Sequence, residues 1–270
     1  MVRRAAALLL IATAAPLAAQ QASQAPASAA AQASPLSAAL AAPTRTPANV
    51  ARDKYRHPAE TLTFFGLQPG QTVVELWPGG GWYTEVLAPY LASGGTLYVV
   101  PPAGSYEQRI RTKIGSDPVY GKVQVATFNS GQPTSIAAGS ADLVLTFRNV
   151  HSWLDSDSPI ADQVFAEAFR VLKPGGTLGV VEHRLPEEAE DARQMTSGYV
   201  KVSTVRRLAE AAGFKFAGSS EINANPKDTK DYPEGVWTLP PTLELGDKDR
   251  EKYLAIGESD RMTLKFVKPN

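Results

Sequence analysis

The stretch Thr72 to Glu85, TVVELWPGGGWYTE, constrains the fold of this chain more than any other. An apolar run from Val73 to Leu76 carries an acid, Glu75, and leads through Gly79 to Gly81 into an aromatic-containing segment. That order reads as strand, tight turn and helix. Glycine lacks a Cβ, so the turn can bring main-chain N–H groups close to a ligand, and the helix N-terminus beyond it offers unpaired donors. Glu75, at the carboxyl end of the strand, can accept from an amine or a hydroxyl. Such a unit belongs in an open α/β sheet whose ligands sit above the carboxyl ends of its strands.

Downstream, apolar runs alternate with segments of helical period, the pattern of a sheet of parallel strands. Strands are predicted at Gln71 to Leu76, Thr96 to Val100, Lys122 to Thr127, Asp142 to Phe147, Thr177 to Glu182, Lys215 to Ile222 and Thr263 to Val267. Helices are predicted at Pro58 to Gly66, Trp82 to Leu91, Tyr106 to Ile114, Ile160 to Leu172 and Ser203 to Ala212. Ile160, Val164, Phe165, Ala168, Phe169 and Leu172 recur at helical spacing and mark a core-facing stripe. The following KPGG, Lys173 to Gly176, is expected to stop that helix. With 270 residues, 43% apolar and 20% charged, the chain suits one globular domain. Its 27 basic and 27 acidic residues balance, so nothing points to nucleic acid as a partner.

Met1 to Ala19 has the layout of a secretory signal: Arg3 and Arg4, an apolar run from Ala5 to Ile11 extended by small residues, and Ala18 and Ala19 before Gln20. The run falls short of the roughly 20 residues that span a bilayer, so the mature chain is expected to have no stable membrane span and to be exported to a bacterial periplasm. Residues 20–47 are almost entirely Ala, Gln, Ser and Pro and are predicted to form a disordered linker, because they bury too little apolar surface to offset ordering entropy. A single folded domain over 48–270 remains. The chain has no cysteine, hence neither disulfides nor thiolate metal ligands.

ELWPGGG at 75–81, DLVLTF at 142–147, VLKPGGTLGVVEHR at 171–184 and AEAAGFKF at 209–216 follow one another in the order and spacing of the class I S-adenosylmethionine-dependent methyltransferases, which the chain resembles from about Gln71 to Ile222. RHPAETLTFFGLQPGQTVVELWPGGGWYTEVLAPYL, with the ending from SSEINANPKDT through GVWTLPP to ESDRMTLKFVKP, resembles more narrowly a group of exported bacterial predicted methyltransferases of unassigned substrate. The resemblance implies a Rossmann-like α/β sheet of about seven strands, mostly parallel with the last antiparallel, and helices on both faces. It also implies S-adenosylmethionine as cofactor, with Glu75, Gly79, Gly80, Gly81, Asn129 and Asn149 as candidate binding residues. Trp77 and Pro78 stand where the family's loop begins with glycine, so the first turn is expected to be made differently. Pro101 and Pro102 follow the second strand where the family commonly places an acid on the ribose hydroxyls. Each charge-assisted hydrogen bond lost there removes about 1.5–3 kcal/mol, and Glu107 is the nearest substitute.

Residues just past the strands form a predicted polar ring: Glu75 and the glycines, Asn129, then Arg148, Asn149 and His151, then Glu182, His183 and Arg184. His151 and His183 are the candidate catalytic residues, because an imidazole titrates near neutral pH and can take a proton from an acceptor. His151 ranks first. Each is alternatively a histidine held structurally at a loop. Glu182 is placed to orient His183, although neighbours on a strand face opposite ways. Asn129 reads either as a partner for an adenine amine or as a turn residue before Ser130 and Gly131. His57, with Asp53, Tyr55 and Arg56, precedes Pro58 and reads as a lid over the donor or as a capped helix start. Residues 223–262 are long for a connection, and contain Trp237, Pro240, Pro241 and the polar cluster Glu258, Asp260 and Arg261. They read as a cover over the acceptor pocket or as an excursion that protects the last strand. No ligand spacing such as HExxH is present, so no metal is predicted.

The sequence therefore points to an exported S-adenosylmethionine-dependent methyltransferase with a small or lipid-like acceptor. A non-catalytic ligand-binding protein that keeps the fold is the alternative, and a nicotinamide-dependent oxidoreductase a distant third.

Overall fold

In the computed structural model of the chain, which describes residues 1–2, 34–154, 157 and 159–270, the strands are β1 Thr72–Leu76, β2 Thr96–Val100, β3 Val123–Val125, β4 Ala141–Phe147, β5 Leu172–Leu185, β6 Val200–Lys201, β7 Lys215–Ser220 and β8 Arg261–Val267. The α-helices are α1 Pro35–Leu40, α2 Pro47–Val50, α3 Asp53–Arg56, α4 Pro58–Phe65, α5 Thr84–Leu91, α6 Ser105–Ile114, α7 Val150–Trp153, α8 Ala161–Val171, α9 Arg193–Thr196, α10 Val202–Ala211 and α11 Arg250–Ile256. Residues 3–33, which hold the rest of the predicted signal segment and the first part of the predicted linker, lie outside the described residues.

Side chains alternate across a strand, and here each face of the sheet carries its own core. Val73, Leu97, Val99, Leu143, Leu145 and Val181 pack with Leu62 and Phe65 of α4 and Val86 and Leu87 of α5. Their neighbours Val74, Leu76, Val144, Leu178 and Val180 pack on the other side with Phe165 of α8 and Val205 and Leu208 of α10. A strand buried on both faces must be apolar at nearly every position, which is why TVVEL and DLVLTF read as continuous runs.

The described strands order as β3-β2-β1-β4-β5-β8-β7, with β6 on the far end of β5. Strands β1 to β5 pair in parallel, and β8 runs antiparallel between β5 and β7. All seven predicted strands are present. KPGG does more than stop a helix: α8 ends at Val171, β5 begins at once, and residues 173–176 form an irregularity between the pairs Ala141–Leu172 and Leu143–Thr177. Strand β5 also runs further than predicted, so Glu182 and His183 lie within it, opposite Met262 and Arg261 of β8.

The predicted linker is corrected over its last part. Helix α1 packs on α4 and α5, with Ala39 in the core. Arg45 then grips Asp53 through two hydrogen bonds of 2.6 and 2.8 Å and lies over the Trp82 ring. Thr46 donates to Glu85 from both its amide and its hydroxyl. The apolar Leu36, Ala39 and Leu40 in an otherwise small-residue sequence supply a helical stripe, and a buried ion pair fixes its end. The compact unit accordingly begins at residue 33 rather than 48.

Gly179 shows how tightly α4 meets the sheet. A Cβ there would lie 2.6 to 2.8 Å from ring atoms of Phe65. Gly179→Ala is expected to lower the unfolding free energy by about 1–3 kcal/mol in urea titration, and Phe65→Leu in the same chain to combine less than additively, because both changes act on one contact.

Candidate functional site

The site is built where β1 and β4 end. Trp77 and Arg148 follow these strands and take the same left-handed backbone, at φ 46 and 63. Each is held there by its amide: Trp77 donates to the Val100 carbonyl at 2.8 Å, and Arg148 to the Val181 carbonyl at 2.7 Å. A left-handed bulky residue costs about 1–3 kcal/mol and persists only where its surroundings over-determine it. The Trp77 turn thus keeps the left-handed backbone that suits glycine, with tryptophan in place of glycine. Asn149 secures it, its side-chain amide donating to the carbonyls of Leu76 and Trp77 and to Thr146 Oγ1 at 3.0 to 3.2 Å. The Trp77 ring meets Trp153 edge-on.

Glu75 is buried and accepts from Thr84 Oγ1 at 2.6 Å. Burial pushes its carboxyl up to about 7, against which the Thr84 bond acts only partly. The three glycines divide in role. At Gly79 and Gly80 an added Cβ would meet nothing within 4 Å, and both face open space at the strand ends. At Gly81 it would strike Lys113 at 2.6 Å and Ile110 at 3.0 Å, so this glycine lets α6 pack close to the turn.

Beyond β4, the first amides of α7 point at Glu182, which accepts from Val150 and His151 N–H groups, from the His183 amide at 2.8 Å, and from His151 Nδ1 at 3.0 Å. Glu182 therefore orients His151; toward His183 it serves only the backbone. The His183 ring turns instead to Ser259 Oγ at 2.5 Å. Burial above all, followed by the neighbouring His151 and the positive charges of Arg148, Arg261 and Arg56, holds the His183 imidazole well below its usual range, so it is neutral at pH 7. The two histidine rings lie 5.4 Å apart, and Trp237 meets His151 edge-on at 6.0 Å.

A cavity of about 340 Å³ joins these elements. Pro102 and Tyr106 line one end, Trp77, Gly79 and Asn149 the middle, and His151 and His183 the other end. Val236, Trp237, Pro240 and Pro241, from the connection 223–262, also line it. A second cavity of about 190 Å³ lies on the other side of Trp77 and Arg148, under Asn49, Arg52 and Arg56 of the N-terminal helices. Glu258, which lines the larger cavity, accepts from Arg52 at 2.7 Å, Arg56 at 3.0 Å and Arg261 at 2.9 Å. Burial would raise its carboxyl, but Arg56, Arg261, Arg148 and Arg52 outweigh that and hold it at about 2.

Several sequence expectations need correction. Asn129 bridges to Gln132 and lines neither cavity. Glu107 pairs with Arg111 one turn along α6 and leaves the Pro102–Tyr106 end of the cavity without a carboxylate. Arg184 pairs with Asp260 and Glu221. His57 is the left-handed junction between α3 and α4, lining neither cavity, while its neighbour Arg56 does. Although no metal-ligand spacing exists in the sequence, the fold brings ligand atoms of His151, Glu182 and His183 within 4.8 Å of one another. Glu182 is already saturated by donors and the neighbouring arginines repel a dication, so the environment disfavours a metal. Sequence reasoning missed Arg52 and Ser259, whose partners Glu258 and His183 lie 206 and 76 residues away; the signal available was the cluster of charges at Glu258 to Arg261.

Residues 74–180 match the family described as methyltransferase domain. The solved structure of an S-adenosylmethionine-dependent methyltransferase from Aquifex aeolicus superposes with a TM-score of 0.56 at 16% identity, covering 83% of this chain and 94% of that one. The fold is that of a class I methyltransferase. Geranyl diphosphate C-methyltransferase from Streptomyces coelicolor shares the methyltransferase fold at a TM-score of 0.57 and 14% identity, over 86% of this chain and 87% of that one. So does the cyclase SpnF, at 0.56 and 16%, over 79% and 80%. No curated protein matches this sequence. The comparisons lend no support to the non-catalytic or nicotinamide-dependent alternatives. Among the described residues, no helix is long and apolar enough to cross a membrane.

Glu75 gives this methyltransferase-type site a pH signature. Its folded pKa of about 7 lies above the ordinary 4.5, so the folded state holds the proton more tightly. Its contribution to stability then falls as pH rises from about 4.5 to about 7, by about 3 kcal/mol in total, and levels off above. Glu75→Gln is neutral throughout, and urea unfolding at a series of pH values should show this part of the decline removed.

Proposed function

We propose that the protein is an S-adenosylmethionine-dependent methyltransferase acting on a small or lipid-like acceptor. The observation that carries this reading is the single cavity running from the Gly79 turn and Tyr106 to the His151–Glu182 pair, in a sheet of methyltransferase topology. The residues fit the donor: open space over Gly79 and Gly80 admits close main-chain approach, and Glu75 closes the strand behind them. When bound, S-adenosylmethionine supplies a sulfonium methyl group for displacement by a nucleophile. Gly79, Gly80 and Asn149 hold its methionyl end, and Pro102 and Tyr106 flank its ribose end. Positioning accounts for much of the catalysis in such a displacement.

His151 acts as the base for an acceptor that must lose a proton. With its Nδ1 proton donated to Glu182, Nε2 carries the free lone pair, and the carboxylate stabilises the imidazolium that forms. Neutral His183, fixed by Ser259, and Trp237 complete the wall beside it. Export by the leader at Met1 to Ala19 is part of the same proposal; a fusion of that leader to alkaline phosphatase should be active only outside the cytoplasm, and an inactive fusion argues against export.

Calorimetry with S-adenosylhomocysteine tests the donor site, and absence of binding would sink the reading. Gly80→Val, at a position of ordinary φ with open space, should weaken binding without lowering the melting temperature. His151→Ala should leave donor binding intact and lower turnover by about 10²–10⁴-fold. Unchanged turnover would remove His151 from the mechanism.

A further inference from the structure

The two histidines at the end of the larger cavity present opposite polarity to it. His151 gives its Nδ1 proton to Glu182, so its Nε2 carries a lone pair. His183 is set the other way. Ser259 is 2% exposed, and Nδ1 of His183, at 2.5 Å, is the one acceptor for its hydroxyl among the described residues. A buried hydroxyl keeps its hydrogen bonded, so Ser259 donates and the proton of the neutral His183 ring lies on Nε2. Neither Nε2 has a hydrogen-bond partner among the described residues, and neither is a buried unpaired atom, so both are open to the cavity that the two residues line. The rings are 5.4 Å apart, and a nitrogen of each lies within 4.8 Å of the other. That separation leaves one ligand atom within hydrogen-bond reach of both.

We propose that the acceptor is a phenol methylated on oxygen, with His183 donating from Nε2 to the oxygen whose proton His151 takes. This rests on the methyltransferase reading for the methyl group, but the pairing of a hydroxyl with the two rings does not. A hydroxyl oxygen has a proton for His151 and two lone pairs, one to accept from His183 and one to attack. A neutral amine nitrogen has a single pair, and accepting from His183 would occupy it. In the transfer the proton passes to His151 Nε2 and an oxygen pair forms the bond to the methyl carbon. The pair of the broken S–CH3 bond stays on sulfur, so the positive charge ends on the His151 imidazolium. Phenols titrate near 10 and imidazole near 6.5, about close enough for this proton transfer, whereas an aliphatic hydroxyl is far more basic once ionised. Arg148, which lines the same cavity, adds positive charge that favours the oxygen anion. Trp237, edge-on to His151, and Val236, Pro240 and Pro241 give the body of the phenol an apolar wall. Ser259 is then a positioning residue, which fixes the His183 tautomer.

4-Nitrophenol, whose yellow phenolate is read by absorbance, tests this in the full chain with and without saturating S-adenosylhomocysteine. Bound nitrophenol should ionise at lower pH than free nitrophenol, because its proton moves to His151, and should bind about tenfold or more tighter than 4-nitroaniline, which has the same body. His183→Phe should weaken nitrophenol binding about ten- to a hundredfold and shrink the shift, with S-adenosylhomocysteine affinity unchanged, and His183→Gln, whose amide can donate, should restore part of both. Ser259→Ala, which releases the tautomer at little change in volume, should shrink the shift in the same direction and carries the test if His183→Phe unfolds. No nitrophenol binding at millimolar concentration, binding without the shift, equal affinity for nitroaniline, or an undiminished shift in Ser259→Ala would each overturn the proposal. Shifted nitrophenol in a chain that binds no S-adenosylhomocysteine would remove the methyltransferase reading and leave the hydroxyl site in place.

Discussion

The buried carboxylate of Glu258 is the interaction on which the site depends. It sits at the entry to β8, yet its partners Arg52 and Arg56 come from helices at the other end of the chain. Arg261, three residues on, shares it and also donates to the Tyr55 carbonyl. One ion cluster therefore fastens the N-terminal helices over the strand ends. Removing one partner of such a buried cluster costs about 3–5 kcal/mol, because the remaining charge is stranded. The adjacent residues extend the same hub: Ser259 holds His183, and Asp260 holds Arg184 and the Asn225 amide.

Two of the left-handed residues among the described ones lie at the same place. Trp77 and Arg148 are both left-handed, both follow a central strand, and both are held by a hydrogen bond from the amide N–H to a carbonyl of the neighbouring strand. Both residues line the cavities at the point where the sheet's strand order reverses, between β1 and β4, which is where open α/β sheets bind ligands. Asn149 and Glu182 then act as frame members. One ties the β1 turn to β4, and the other caps α7 and sets the His151 ring.

Much of the fold was legible because it is encoded locally. Doubly buried strands must be apolar throughout, so TVVEL and DLVLTF could be read as strands without knowing their neighbours, and the stripe of α8 showed its buried face by period alone. The helix α1 was not legible in the same way. Its Ala-rich sequence resembles a linker, and only the core made by α4 and α5 gives Leu36, Ala39 and Leu40 something to bury against. Within the site, His151, Asn149 and Gly79 line the larger cavity, in keeping with their position after a strand. Asn129 obeyed the same rule and yet bridges to Gln132, because position after a strand does not fix where a residue turns.

The sequence by itself determined the order of strands and helices, the glycine turn after β1 and the histidines near the strand ends, since each follows from local pattern and backbone chemistry. Only the tertiary structure decided that β8 enters between β5 and β7, that Glu182 serves His151 instead of His183, and that arginines from helices α3 and β-strand ends surround one carboxylate. These are contacts between residues far apart in the chain, and their energies come from burial and charge, which a linear sequence does not display until the chain has folded.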